Sequence, residues 1–195
     1  MTEARFAKLS ARSEFELNCD PAGAIYDDIE RQYRMDILAL VGEVDDDNWA
    51  IPTKVGSLTA SLFRFDAALN LGVEPAFVAD SHSAIAAFIY GIFENEAENN
   101  PLEGGMHRDT VLLHGIELRD EFKGTRVEHE AIRTALMGLS SGVSRAFLQL
   151  GQSDMETPAA ANKAAIRYAA LGFRPVEIGS DLLWLDLEAR AFWEG

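Results

Sequence analysis

The chain has 195 residues, of which 17 are basic and 32 acidic, so its formal net charge is −15. A chain of this length is expected to form one domain around a substantial core, and 48% hydrophobic against 25% charged residues excludes a disordered or fibrous protein. Because nucleic-acid affinity depends largely on basic side chains, so negative a chain is expected to have no nucleic-acid partner.

Cysteine usage and apolar runs indicate the compartment. Cys19 is the single cysteine, which excludes an intrachain disulfide and a multi-cysteine metal site. Residues 1–15 lack the apolar core of a secretion signal, and the longest apolar run, 84–93, is about half as long as a membrane-spanning helix. The four histidines show no metal-ligand spacing. We therefore expect a cytoplasmic protein without a metal or a membrane segment, and a homodimer stays open because dimers are the commonest symmetric assembly.

The first third of the chain is expected to contain a hairpin. Two apolar runs rich in strand formers, 36–44 and 55–65, are separated by the acidic tract 45–47, which predicts a long polar tip. Residues 15–19 suit a strand. The segment 21–33 suits either a helix or a strand, and its sequence does not decide between them.

A buried helix is predicted after residue 80. Its apolar residues recur at helical spacing and are Ile85, Phe88, Ile89 and Ile92, with Asp80, Ser81 or Ser83 as the N-cap. The following loop, 94–109, is rich in glycine, asparagine and acidic residues, and it is read either as a mobile flap or as a plain solvated connector.

The second half alternates strands and helices. Strands are predicted at 111–118 and 144–150, and a helix between them has its apolar stripe at Val127, Ala131, Ile132, Ala135, Leu136 and Leu139. A second helix at 157–171 ends at Gly172, and the last elements form a hairpin around 179–181. This order predicts a mixed α/β sheet.

The junction between the strand at 111–118 and the next helix could bind an anion, because a helix N-terminus presents unpaired N–H groups. Its segment Lys123-Gly124-Thr125-Arg126-Val127-Glu128 resembles the signature of the GCN5-related N-acetyltransferases, the GNAT superfamily. There an Arg or Gln precedes Gly-x-Gly-x-Gly/Ala around the pyrophosphate of acetyl-coenzyme A. The resemblance implies that Lys123, Gly124, Thr125 and Arg126 bind this pyrophosphate, although Arg126 and Glu128 stand at the two later small-residue positions.

The same junction also has a purely structural interpretation. Thr125-x-x-Glu128 is a capping box, in which the threonine hydroxyl and the glutamate carboxylate satisfy the N–H groups at the helix start. In that case the protein fills its own anion site. Both interpretations stay open.

A second segment carries the resemblance further. Ala164-x-x-x-Tyr168-x-x-x-Gly172-Phe173 matches the helix-to-strand segment of the same superfamily. The match implies that Tyr168 approaches the coenzyme sulfur and protonates the departing thiolate, which suits a phenol of pKa about 10. It also implies that Asn162 contacts the coenzyme, with one residue less between it and Tyr168 than is usual. A tyrosine packed for its apolar ring fits the same spacing.

The resemblance also assigns a role to the strand at 111–118. Its backbone at Ile116 and Leu118 is expected to hold the pantetheine arm, in a slot opened where the strand diverges from the strand at 144–150. An amine nucleophile must lose a proton, and His114 and Glu117 are the nearby candidate bases. Side chains alternate along a strand, so these two point to opposite faces unless a bulge around Gly115 breaks the period, and at most one is expected at the site.

Taken together, the resemblance implies one GNAT-like domain over 1–195: a mixed, mostly antiparallel sheet flanked by helices, with 75–109 as an inserted helix and acidic loop. The implied function is N-acyltransfer from acetyl-CoA or another acyl-CoA to an amine, a small molecule or a peptide, for which the negative charge favours a cation. The alternative is a GNAT-like fold that has lost catalysis and acts as an acidic protein-interaction or CoA-sensing module.

Overall fold

A computed structural model describes residues 30–40, 52–82, 84–94, 109–177 and 180–189. These residues form a six-stranded open sheet in the spatial order β1-β2-β3-β4-β6-β5. All neighbouring strands are antiparallel except β3 and β4, which are parallel. The predicted α/β class with a mixed, mostly antiparallel sheet is therefore confirmed. The strands are β1 (Glu30–Leu40), β2 (Pro52–Phe63), β3 (Thr110–Leu118), β4 (Arg145–Gln149), β5 (Arg174–Pro175) and β6 (Leu182–Asp186).

Helices cover both faces of the sheet. They are α1 (Phe65–Asn70), α2 (Pro75–His82), α3 (Ala84–Glu94), α4 (Arg126–Leu139), α5 (Gln152–Met155) and α6 (Pro158–Ala169). Each face of the sheet has its own hydrophobic core, and successive side chains of β3 and β4 point alternately into the two cores. Leu113 packs with the buried faces of α4 and α6, whereas Leu112 packs with α2 and α3. The two-residue alternation of a strand buried on both faces explains why β3 and β4 read as continuous apolar runs.

Most predicted elements are confirmed, with shifted ends. The helix after residue 80 is α3, and the strands and helices of the second half are β3, α4, β4, α6 and the β5–β6 hairpin. Residues 30–33 belong to β1, so the end of the undecided segment 21–33 is a strand. Residues 15–19, the acidic tip at 45–47 and most of the acidic loop, 95–108, lie outside the described residues.

Two short helices after β2 were not predicted. The strand expected to continue to Phe65 ends at Phe63, and Phe65 begins α1. Both rings are buried in one cluster and stack with centroids 5.7 Å apart, so the apolar alternation of a strand continues across the point where the backbone turns. Side-chain pattern alone could not locate that turn, because Arg64 makes no side-chain capping bond at the start of α1.

Helix α4 offers a direct test of which face carries the core. Leu136 is fully buried in the sheet core, whereas its neighbour Met137 is 57% exposed. Leu136→Ala should lower the free energy of unfolding by about 2–5 kcal/mol, because it removes methyl groups and leaves a cavity. Met137→Ala, the matched control, should change it by less than about 0.5 kcal/mol. Urea denaturation followed by circular dichroism measures both, and equal losses would contradict the described orientation of α4.

Candidate active site

Strands β3 and β4 part beside the centre of the sheet. Their parallel pairing runs from Thr110 opposite Arg145 to Leu113 opposite Leu148. Strand β3 continues to Leu118, while β4 ends at Gln149. Within the described part of the chain, no strand pairs with residues 115–118 on the side of β4. This divergence leaves a sheet edge along which an extended ligand arm could lie.

A β-bulge interrupts β3 at the same place. Thr59 of β2 lies opposite His114 and Ser57 lies opposite Glu117, so two residues of β3, Gly115 and Ile116, face one residue of β2. Gly115 has a φ of 71°, in the left-handed region that favours glycine. A bulge of this kind shifts the two-residue alternation by one position.

The bulge brings both candidate bases to one face of the sheet. Ile116 and Leu118 pack in the core beside α4, as Val111 does before the bulge. His114 and Glu117 therefore share the opposite face. The sequence predicts that these two side chains point to opposite faces unless a bulge lies around Gly115. The bulge is present, so both side chains lie on the same face.

A set of polar side chains surrounds these two residues, and we call it the polar sheet face. Register places on it three residues of β1 and three of β2 beside the two of β3. The imidazole Nε2 of His114 lies 3.0 Å from the hydroxyl oxygen of Ser61. Ser61 is buried and Glu117 is exposed, so the face is anchored at one end and open at the other. Its members are Gln32, Arg34, Asp36, Ser57, Thr59, Ser61, His114 and Glu117.

The start of α4 is capped by its own side chains. Thr125 is the N-cap: its hydroxyl oxygen accepts a hydrogen bond from the Val127 N–H at 3.3 Å and donates to the carbonyl of Phe122 at 2.7 Å. The Glu128 carboxylate reaches back and accepts a hydrogen bond from the N–H of Gly124, one residue before the cap. The predicted capping interaction therefore forms, but displaced by one residue on both sides: Thr125 bonds to Val127 and not to Glu128, and Glu128 bonds to Gly124 and not to Thr125.

Glu128 is the centre of a buried network that joins α4 to α6. Only 2% of the residue is exposed. The Tyr168 hydroxyl donates to its Oε1 at 2.9 Å, and Arg167 Nε lies 3.6 Å from its Oε2. Arg167 also donates through Nη2 to the Tyr168 oxygen at 2.7 Å and to Asp154 at 3.0 Å. Four side chains from three helices are thus linked by hydrogen bonds and ion pairs.

The surroundings of Tyr168 raise the pKa of its hydroxyl. Burial first, and then the negative charge of Glu128, raise the pKa of Tyr168 well above its ordinary value, although Arg167 opposes the shift. A phenol donates its proton more readily when its pKa is lower. For Tyr168 to protonate a departing thiolate, its hydroxyl would therefore have to turn from Glu128.

The other predicted coenzyme contacts lie on the loop before α4, on α6 and on β3. Lys123 Nζ is 2.8 Å from Asp120, and Arg126 Nε is 3.4 Å from Glu130. Gly124 has a φ of 70°, and Asn162 is exposed on α6. The structure thus gathers Lys123, Gly124, Thr125, Arg126 and Tyr168 around the start of α4, whereas Ile116 and Leu118 lie on β3.

Several of these residues were not found by the sequence reasoning. Arg167 and Asp154 complete the network, yet 13 positions separate them and no short motif joins them. The polar sheet face did have a signal, because Ser57, Thr59 and Ser61 alternate with the apolar residues of β2. Within the described ranges, no group of three or more acidic, histidine or cysteine residues could hold a metal ion. In the same ranges, no helix has the length and hydrophobicity needed to cross a bilayer.

The Tyr168 hydroxyl should contribute to stability. Tyr168→Phe removes the donor to Glu128 Oε1 and the acceptor of Arg167, so buried polar groups lose partners. We expect a loss of about 1–3 kcal/mol in the free energy of unfolding. Ile166→Ala, at a position of the same helix that is 74% exposed, is the control and should change the free energy of unfolding by less than about 0.5 kcal/mol. Equal losses in urea denaturation would contradict the network.

The raised pKa of Tyr168 also predicts a pH dependence. Below about pH 10 both the folded and the unfolded chain hold the proton, so the residue adds no pH dependence. Above it the unfolded chain releases the proton while the folded chain keeps it, so stability falls as pH rises, by up to about tenfold in the folding equilibrium per pH unit. Urea titrations between pH 9 and 11 should show a shallower fall for Tyr168→Phe, and parallel curves would contradict the shift.

Comparisons with known proteins identify no family. No family model matches the sequence, and no curated protein is significantly similar to it. One solved structure, described as the crystal structure of the KacTA–DNA complex, is similar over 96% of this chain and 100% of its own, with 12% identity and a TM-score of 0.43. The prediction that excluded nucleic acid as a partner is contradicted by this neighbour and is withdrawn, since a net charge is a sum and does not exclude a local basic patch. At this TM-score the likeness assigns neither a fold family nor a ligand.

Proposed function

We propose that the chain is a GNAT-like N-acyltransferase that moves an acyl group from a pantetheine thioester to an amine bound over the polar sheet face. The observation that carries the proposal is the bulge at Gly115, which sets His114 and Glu117 on one face. The bulge lies where β3 leaves β4, so the two candidate bases and the open strand edge are adjacent. An acyltransferase needs this adjacency, because base, amine and thioester must meet.

The chemistry requires two proton movements. The amine nitrogen loses a proton to His114 or Glu117 as it attacks the thioester carbonyl carbon, and a C–N bond forms. The C–S bond then breaks, and the thiolate takes a proton, for which Tyr168 is the donor implied by the resemblance. His114 is held by Ser61, whose hydroxyl oxygen lies 3.0 Å from its Nε2, and this contact orients the ring.

The polar sheet face also favours an acceptor amine that arrives as a cation and releases one proton to solvent before its nitrogen attacks. Glu117 is exposed at its open end, whereas the Asp36 carboxylate is already matched by Lys54 at 2.6 Å. The net charge of −15 adds a field of the same sign. Carboxylates beside an open surface raise the local concentration of cations. A primary amine, on a small molecule or a lysine side chain, fits this chemistry.

A specific observation favours a second function, a non-catalytic binding module. The Glu128 carboxylate already accepts hydrogen bonds from the Gly124 N–H, just before α4, and from the Tyr168 hydroxyl. If this arrangement excludes every thioester donor, no transfer takes place. The fold would then present an acidic surface for a protein partner, as the alternative interpretation of the sequence holds.

Turnover and binding separate the two functions. Acetyl-CoA and S-acetylpantetheine are titrated by calorimetry, and thiol release is followed with a panel of primary amines and lysine peptides. The wild type should bind at least one donor and release thiol only with an amine. Binding of neither donor at millimolar concentration would contradict the acyltransferase and leave the binding module.

Variants at the bulge identify the base. Either His114→Ala or Glu117→Gln should lower kcat by about 10²- to 10⁴-fold with little change in donor affinity, and the variant that does so should also shift the acid limb of the pH profile. Glu177→Gln, exposed on the turn after β5, is the control and should keep the wild-type rate. Unchanged turnover in both bulge variants would remove the polar sheet face from the mechanism.

A further inference from the structure

We propose that Glu128 takes the place of a donor diphosphate, so that the site selects a pantetheine thioester without a diphosphate over acetyl-CoA. The inference rests on the proposed function and adds to it the class of donor. Glu128 is then a specificity-determining residue: it touches no reacting atom, and it decides which thioester can approach the edge of β3.

The carboxylate accepts hydrogen bonds from two donors beside the start of α4 that an anionic ligand could otherwise use. The loop before α4 offers the Gly124 N–H, and this group donates to Glu128. The Tyr168 hydroxyl donates to the other carboxylate oxygen at 2.9 Å. N–H groups at a helix start bind a phosphate only when they are not already bound to another anion. A diphosphate would therefore compete with a side chain that is part of the protein.

The cations around the loop are also matched by carboxylates. Arg167 lies between Glu128 and Asp154, at 3.6 and 3.0 Å. The two basic residues of the loop have partners as well: Lys123 is 2.8 Å from Asp120, and Arg126 is 3.4 Å from Glu130. A diphosphate placed here would gain no excess of positive charge, and it would lie beside a buried negative one. Like charges in a site with little water repel strongly.

Glu128 is also held too firmly to move aside at low cost. It is 2% exposed, and turning it into solvent would break its bonds to Gly124 and Tyr168 and separate it from Arg167. Removing one member of a buried, hydrogen-bonded charge pair is strongly unfavourable. The pantetheine part of a donor meets no such obstacle, because Glu128 bonds to the loop and to α6 and not to residues 115–118 of β3.

Two donors and three variants test the inference. Dissociation constants for S-acetylpantetheine and acetyl-CoA are measured by calorimetry on the full chain. The wild type should bind S-acetylpantetheine at least as tightly as acetyl-CoA. Glu128→Gly should tighten acetyl-CoA binding by about tenfold or more and leave S-acetylpantetheine within about twofold, since the loop donors become available to the diphosphate. Glu128→Gln keeps the shape without the charge and should tighten acetyl-CoA binding by less, provided that thermal unfolding shows both variants folded.

Glu121→Gln is the matched control. It removes the same charge three residues before Gly124, but its side chain is exposed. It should change acetyl-CoA affinity by less than about threefold, because solvent screens its charge. Wild-type preference for acetyl-CoA, or equal effects of Glu128→Gly and Glu121→Gln, would overturn the role of Glu128 and leave the acyltransferase standing. Binding of neither donor by the wild type would instead overturn the acyltransferase, and the donor preference with it.

Discussion

The buried carboxylate of Glu128 is the interaction on which the candidate site depends. An ionised group with 2% exposure persists only because donors and a cation surround it, and here they come from the loop before α4 and from α6. The position of α4 against α6 is therefore set by hydrogen bonds with fixed geometry and not by apolar packing alone. The same bonds determine which parts of the loop remain available to a ligand, so that stability and selectivity depend on the same atoms.

A second constraint lies in β3. The bulge at Gly115 keeps Ile116 and Leu118 in the core while it turns Glu117 to the face that carries His114. Without the extra residue, one of the two candidate bases would face α4. Gly56 supports the bulge from β2, because a Cβ at this position would come within 2.1 Å of the Glu117 carbonyl oxygen. The close approach of the two strands requires glycine here, so the sequence of β2 fixes a feature of β3.

The fold was largely predictable from sequence because β3 and β4 contain continuous apolar runs and α4 has an apolar stripe at helical spacing. The turn between Phe63 and Phe65 was not, since both rings are buried and the pattern is the same for a strand and for a helix start. The site was predictable where neighbours in sequence interact, as Thr125 with Val127 and Glu128 with Gly124 do at the start of α4. It was not predictable where partners are distant, as Arg167 and Asp154 are, because that pairing exists only after α5 and α6 have packed. The bulge was partly predictable. Gly115 indicated where a bulge could occur, but only the register of β3 against β2 shows that it is present.

The parallel pairing of β3 with β4 has a mechanical consequence. It joins two antiparallel halves, β1–β3 and β4–β6, and it extends over four residue pairs, from Thr110 to Leu113. The antiparallel ladder between β1 and β2 runs through eleven. The open strand edge begins where this seam ends. Opening the strands further would first break the pair Leu113–Leu148, whose side chains are fully buried, so access along the strand edge is coupled to the local stability of the sheet.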